Sequence, residues 1–287
     1  MIASAIAWMA LFAALFASVG LYVRTTGVPP LHFPAVASIA ATSFVTMTDA
    51  GGSLALAGAC ALASASVAGA LGLFAQATSW LRRHPAAQMV FLLALGTLMN
   101  QGLAAVAGYR FFSVSLPGIA DASQTDTIAS LIGAFVVAAL LWFDRRSMAR
   151  RLDAAFDNRR AAEMAGVNVA RLVVIAIVAT ACALAAYSVS ATLIRGHHLG
   201  IDTMNVILAA TVATVWRARR VWAFALVGAS FSLLRLVAGL VAGAQWQDLA
   251  AFTAAAVIVA VASLVSSQRR DEGARGDGIH NPLGGPV

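Results

Sequence analysis

This chain predicts an all-α fold, a polytopic transmembrane helical bundle of about eight or nine spans, and three observations carry that prediction. Of its 287 residues, 61% are hydrophobic and only 11% charged, whereas soluble domains are about half apolar and a quarter charged. Mean hydropathy is +0.84. The apolar residues also gather into runs near the ~20 residues that a helix needs to cross the hydrocarbon of a bilayer.

The runs fall at 2–23, 34–49, 53–79, 87–108, 127–143, 172–194, 203–216, 221–243 and 249–266. The first has no basic n-region and no cleavage site leading into a soluble domain, so it reads as a retained helix rather than a signal peptide. The runs at 34–49 and 203–216 are short, and either could be re-entrant or merge with a neighbour. Residues 1–267 thus form one transmembrane domain. The stretch 268–287 is polar, rich in Gly, Asp and Arg and without periodicity, and is expected to be a disordered tail. Trp80, Tyr109, Trp142, Trp216 and Trp222 stand near span ends, as an aromatic belt requires. Gly239 and Gly243 make a small-xxx-small pair suited to helix packing.

Charge orients the bundle. All 19 basic residues are arginine. Alternating the sides places 16 of them on one face, seven of these within 145–171. By the positive-inside rule that face is cytoplasmic, with the N-terminus out and the C-terminus in. The expected location is a bacterial inner (plasma) membrane. The arginine clusters mark cytoplasmic loops there, and no nucleic-acid partner is expected.

Composition also removes whole classes of chemistry. Without lysine there is no G-x-x-x-x-G-K-[ST] phosphate loop and no Schiff-base nucleophile. Any ATP hydrolysis must lie on another chain. Cys60 and Cys182 are isolated in apolar runs, which supports neither a disulfide framework nor a Cys-x-x-Cys metal site. The chain has two glutamates, both outside the spans, and no H-E-x-x-H or G-x-S-x-G. No catalytic residues, metal or cofactor are expected. His197 and His198 stand beside Asp202 in the loop RGHHLGID, which offers too few ligands at suitable spacing for zinc.

The one long polar interruption is 144–171, DRRSMARRLDAAFDNRRAAEMAGVNVAR. It has helix formers through Ala162 and then Gly166 as a stop. An amphipathic helix here is a candidate docking element, because Ala154, Ala155, Ala161 and Ala162 would let a partner approach closely and the flanking arginines could meet an acidic rim. This segment resembles the cytoplasmic loop R-A-x-x-x-N-x-x-A-A-x-x-x-G-[IV]-N of permease subunits of branched-chain amino-acid type ABC importers. The matching residues are Arg151, Ala154, Ala155, Asn158, Ala161, Ala162, Gly166, Val167 and Asn168. LRRHPAAQMVFLLALGTLMNQGLAAVAG (81–108) and Thr48-Asp49-Ala50-Gly51-Gly52-Ser53 are similar to further parts of that family. At 211–230, TVATVWRARRVWAFALVGAS carries arginines and tryptophans where its members carry a G-G-x-G-[ST] loop.

The resemblance implies a type II-like ABC importer permease in which Arg151 to Asn168 form the coupling helix against the ATPase. It also implies ABC ATP-binding subunits, a second permease subunit (the same or a related chain), a periplasmic solute-binding protein, and an amino-acid-like solute moved by alternating access. An ATP-independent secondary transporter or channel is the alternative, with Asp49 as its one fair intramembrane acid; a non-transporting scaffold is another.

Five polar residues in or beside the spans are candidates for the solute path. Asp49 is either a pathway carboxylate or the N-cap of a helix starting at Ala50. Arg235, deep in its span, either holds a carboxylate or snorkels to an interface. The amides Asn100, Gln101 and Asn205 could line a path or hydrogen-bond helix to helix.

Overall fold

The computed structural model describes residues 2–108, 122–145, 147–197, 199, 202–215 and 220–276. Each predicted apolar run is helical over most of its described length. In chain order, α1 is Ile2–Thr26, α2 Phe33–Asp49, α3 Leu54–Leu71, α4 Leu73–Ala77, α5 Ser79–Arg83, α6 Pro85–Ala107 and α7 Ala122–Arg145. Then follow α8 Ser147–Asp157, α9 Arg159–Met164, α10 Val169–Arg195, α11 Thr203–Val215, α12 Val221–Ala242 and α13 Gln247–Gly276.

Among the described residues, six segments are long and apolar enough to cross a membrane: α1, α3 with α4, α6, α7, α10 and α12. The 17 residues of α2 fall below the ~20 that a crossing helix needs. The 13 residues of α11 make a rod of about 20 Å at 1.5 Å per residue, short of a ~30 Å hydrocarbon core.

The run predicted as one span at 53–79 breaks after Leu71 and again at Thr78, whose backbone is extended. At the other end of the chain, helix continues to Gly276 where a structureless tail was expected from residue 268. Gln268, Arg269, Arg270 and Glu272 all favour helix and extend an existing one, which needs no new nucleus. The remainder of that tail lies outside the described residues, as do Tyr109 and Trp216.

α1 and α10 form the middle of the bundle. Most of α1 is buried, although it is uniformly apolar and would read equally well as a lipid-facing helix. Around it pack α7, α10, α11 and α12, while α2 and α3 lie against α10, α6 against α2, and α13 against α11 and α12. Phe12 and Phe16 of α1 stack in series with Phe231 of α12, with ring centroids 6.4 and 5.4 Å apart.

Lipid is as apolar as a leucine side chain, so close backbone approach and hydrogen bonds, not water exclusion, hold such helices together. Small residues supply the approach: a Cβ at Gly69 of α3 would stand 2.7 Å from that of Ala181 in α10, and one at Gly133 of α7 would stand 2.9 Å from the backbone of Ala10. Outward faces of α3, α6, α7 and α12 carry exposed Val67, Leu98, Phe135 and Leu226, as lipid contact requires. Trp80, Trp142 and Trp222 are more than half exposed near helix ends, and their aromatic-belt role stands on position.

Gly239 receives the Gln247 side chain, whereas Gly243 has φ +100° and ends α12. Only the first is therefore a packing position. Both cysteines are free, and Cys182 lies 3.4 Å from the Ser66 hydroxyl.

Candidate functional site

Two groups of polar residues stand at opposite ends of α10. At its N-terminal end the polar segment folds as two short helices, not as the single one predicted. The break falls at Asn158, whose backbone is extended and whose side-chain oxygen accepts the Ala161 N–H at 3.0 Å, so it is the N-cap of α9. Asparagine is among the best residues at that position. Gly166, predicted as a stop, has φ +81°. The Val167 N–H bonds the Ala162 carbonyl and the Gly166 N–H that of Glu163, both at 3.0 Å, which is a Schellman closure and favours glycine at its left-handed position. Asn168 then caps α10 by accepting the Arg171 N–H at 2.9 Å. Three of the motif residues thus have local structural work: two caps and a turn.

The small residues divide. Ala162 is buried at 3% exposure in the main core, and Ala155 is half-buried against it. Ala162 is therefore withdrawn from a partner, against the expectation for all four alanines, and Ala155 is withdrawn in part. Ala154 and Ala161 are exposed, together with Arg150, Arg151, Asn158 and Arg160. Leu152 turns the other way into a second core cluster with Leu140 and Leu172.

An ion triad fixes α8 to the bundle. Arg24, in the last turn of α1, donates to Asp144 at 2.6 Å and to Asp153 of α8. Asp144 also accepts the Val221 N–H at 3.1 Å, at the start of α12. Arg24 and Asp144 are 3% and 4% exposed. Three helices therefore meet at one guanidinium, and α12 joins them through Asp144. Sequence reading counted Arg24 only as a cytoplasmic charge, because its partners lie 120 and 129 residues away.

At the far end of α10, a polar chain crosses four helices. Asp202, immediately before α11, accepts from Tyr187 at 3.1 Å, from Ser188 at 3.4 Å and from Arg195. Burial pushes its carboxyl above the usual carboxylate range, and the Arg195 guanidinium opposes that rise. Asn205 donates to the Tyr187 hydroxyl at 3.1 Å, and its carbonyl accepts from Arg235 at 2.7 Å. Arg235 also pairs with the exposed Asp248 of α13. His197 is buried with its Nε2 3.2 Å from the Thr42 hydroxyl. His198 lies outside the described residues. Among the described residues no three His, Cys, Asp or Glu side chains converge as metal ligands.

Of the five candidate path residues, Asn205 and Arg235 are brought together. Asp49 is not. It is the last residue of α2, exposed, and the cap of the next helix is Ser53, whose hydroxyl accepts the Leu56 N–H at 3.3 Å. The N-cap reading of Asp49 fails because Ala50 to Gly52 form a turn, Gly51 having φ +79°. Asn100 and Gln101 sit on α6, which packs against α2, α4 and α5 rather than α11 or α12. Sequence reading missed Tyr187, Ser188, Arg195 and Asp248 as members of the polar chain. Asp202 had entered only as a neighbour of histidines.

No protein-family profile matches the sequence, and no curated protein matches it. A solved structure does: PsaBC from Streptococcus pneumoniae in complex with Fab, at 15% identity and a TM-score of 0.53 over 89% of each chain. The likeness is one of fold, an ABC permease-like architecture over most of both chains.

Proposed function

We propose that the chain is the membrane-spanning permease subunit of an ABC importer, with α8 and α9 as the element that docks on a separate ATP-binding subunit. The observation that carries this reading is the anchored two-helix segment itself. Arg24 and Leu152 tie its inner face to four helices of the bundle, and Ala154, Ala161 and the arginines are left on its outer face. A displacement applied to that face passes into α1 and α7, and through Asp144 to the start of α12.

In this reading the α8–α9 end is cytoplasmic and the polar chain at Asp202 and Arg235 is periplasmic. A second permease subunit completes the path, and a solute-binding protein delivers solute to the periplasmic end. The motif in α8 and α9 points to an amino-acid-like solute.

The test is co-purification in detergent with an ABC ATP-binding subunit encoded beside this chain. Ala161→Arg is the discriminating variant, because position 161 is exposed and helical, whereas arginine at Gly166 would strain a left-handed backbone. The native chain is expected to retain the ATPase and Ala161→Arg to lose at least tenfold of it while unfolding at the same temperature. Equal retention by both would overturn the assignment of the docking face, and no retention by the folded native chain would favour an ATP-independent carrier or a scaffold.

A further inference from the structure

We infer that the link between α1 and α2 is a re-entrant element, and that its His32 heads a pocket of bound water inside the membrane span, walled by α1, α4 and α6. The link, residues 27–32, turns at Gly27, whose φ is +76°, and carries Pro29 and Pro30. Val28, Pro29, Pro30 and His32 are all buried. A Cβ at Gly96 would lie 2.9 Å from the His32 Cα and 3.1 Å from the Leu31 carbonyl oxygen. Gly96 stands at the centre of α6, a 23-residue helix long enough to cross the bilayer. The link thus reaches the middle of a span, and α2 starts at depth, which is why its 17 residues are too few for a full crossing. Non-helical backbone is tolerated at that depth only inside protein or beside water.

Polar side chains gather around the link. The Tyr22 hydroxyl, both ring nitrogens of His32 and the amide nitrogens of Gln76 and Gln88 are buried without a hydrogen-bond partner among the described residues. Tyr22 and His32 are wholly out of solvent, and Gln88 and Gln76 are 2% and 9% exposed. The Tyr22 and His32 ring centroids are 6.0 Å apart. Glycine makes room for the imidazole, since a Cβ at Gly72 would lie 2.6 Å from its Nε2. Gln76 follows Gly72 by one helical turn on the same face. Gln88 precedes Leu92 by one turn, and Leu92 packs with Val28 of the link and Ala75 of α4.

The chemistry of this set selects the occupant. Burial favours the neutral imidazole, in which one ring nitrogen donates and the other accepts. Whatever lies beside it must therefore do both. An anion only accepts, and Arg24, two residues from Tyr22, is already committed to Asp144 and Asp153. A metal ion would find one ligand, because no three His, Cys, Asp or Glu converge among the described residues. Water both donates and accepts, and a buried water needs two to four polar partners of this kind. This goes beyond the permease reading and needs only that the chain spans a membrane.

The experiment is thiol labelling of the full chain in lipid nanodiscs, on a Cys60→Ser/Cys182→Ser background, with a small hydrophilic methanethiosulfonate. A thiol reacts as its thiolate, which forms where water is present. Gln88→Cys is expected to react at least tenfold faster than Ile177→Cys, which lies buried in the apolar middle of α10. Equal rates would overturn the pocket. Gln88→Met then separates bound water from a passing opening of the helices. In a dry seam methionine relieves an unpaired buried amide and raises the unfolding temperature, whereas in a hydrated one it takes a partner from the water and lowers it. A lower unfolding temperature is expected, and an equal or higher one would overturn the proposal.

Discussion

Replacing Arg24 with alanine is expected to cost about 3–5 kcal/mol of stability, the usual effect of removing one partner from a buried ion pair. The pair with Asp144 is almost wholly out of solvent, at 2% and 5% side-chain exposure. Without the guanidinium, Asp144 keeps, among the described residues, the hydrogen bond from the Val221 N–H, which is too little for a buried carboxylate. The measurement is thermal or denaturant unfolding in detergent. Arg24→Ala/Asp144→Asn should recover part of the loss, since the stranded charge is then gone. A loss below about 1 kcal/mol in Arg24→Ala would place the triad among ordinary surface pairs and remove the argument that α8 is rigidly joined to the bundle. The triad also makes a functional statement: α8 should loosen in Arg24→Ala, so ATPase retention should fall along with stability.

The second large effect is expected at Gly228. α1 and α12 pack through reciprocal small positions. A Cβ at Gly228 would lie 2.3 Å from the Phe12 carbonyl oxygen, and one at Gly20 would lie 2.4 Å from the Phe224 ring. The obstacle at Gly228 is backbone and cannot rotate aside. Even Gly228→Ala should therefore force the two helices apart and cost about 3 kcal/mol, the upper part of the range for overpacking. Gly102→Ala is the control, because nothing lies within 4 Å of a Cβ there. It should be neutral or stabilising by about 0.5–1 kcal/mol, as Gly→Ala is in a helix interior. Equal stability of Gly228→Ala and Gly102→Ala would show that the α1–α12 contact is looser than described.

The helices were legible in the sequence because crossing a bilayer imposes a length and a composition, and both can be counted along the chain. Partners were not legible. Arg24 and Asp144 each look like a charge at a span end, and nothing local says that one neutralises the other. Arg235 and Asn205 were singled out as polar residues in apolar runs, and the structure joins them. Asp49, Asn100 and Gln101 met the same criterion and stand apart, because polarity within a span does not specify which helix faces which.

In the docking segment, the Gly166 stop followed from composition, whereas the break at Asn158 did not. Asparagine inside a run of helix formers reads as a tolerated interior residue until its side chain is seen capping α9. The same break changes which alanines face outward. On one continuous helix, residues 154, 155, 161 and 162 form adjoining positions. On two helices, Ala162 turns into the core and Ala161 does not. Arg195 went unnoticed because it ends a span, where an arginine is ordinary.

The central claim, that α8 and α9 are the surface on which an ATP-binding subunit rests, is tested most directly by site-directed cross-linking. Cys60 and Cys182 would first be changed to serine. Single cysteines would then be placed at Ala154, Ala161 and, as the distal control, Ser4, and each chain would be co-expressed with the ABC ATPase that co-purifies with the native chain and treated with a short bifunctional thiol reagent. Cross-links to the ATPase are expected from positions 154 and 161 and not from position 4. Cross-links from position 4 alone, or from none of the three in a complex that co-purifies, would contradict the assignment.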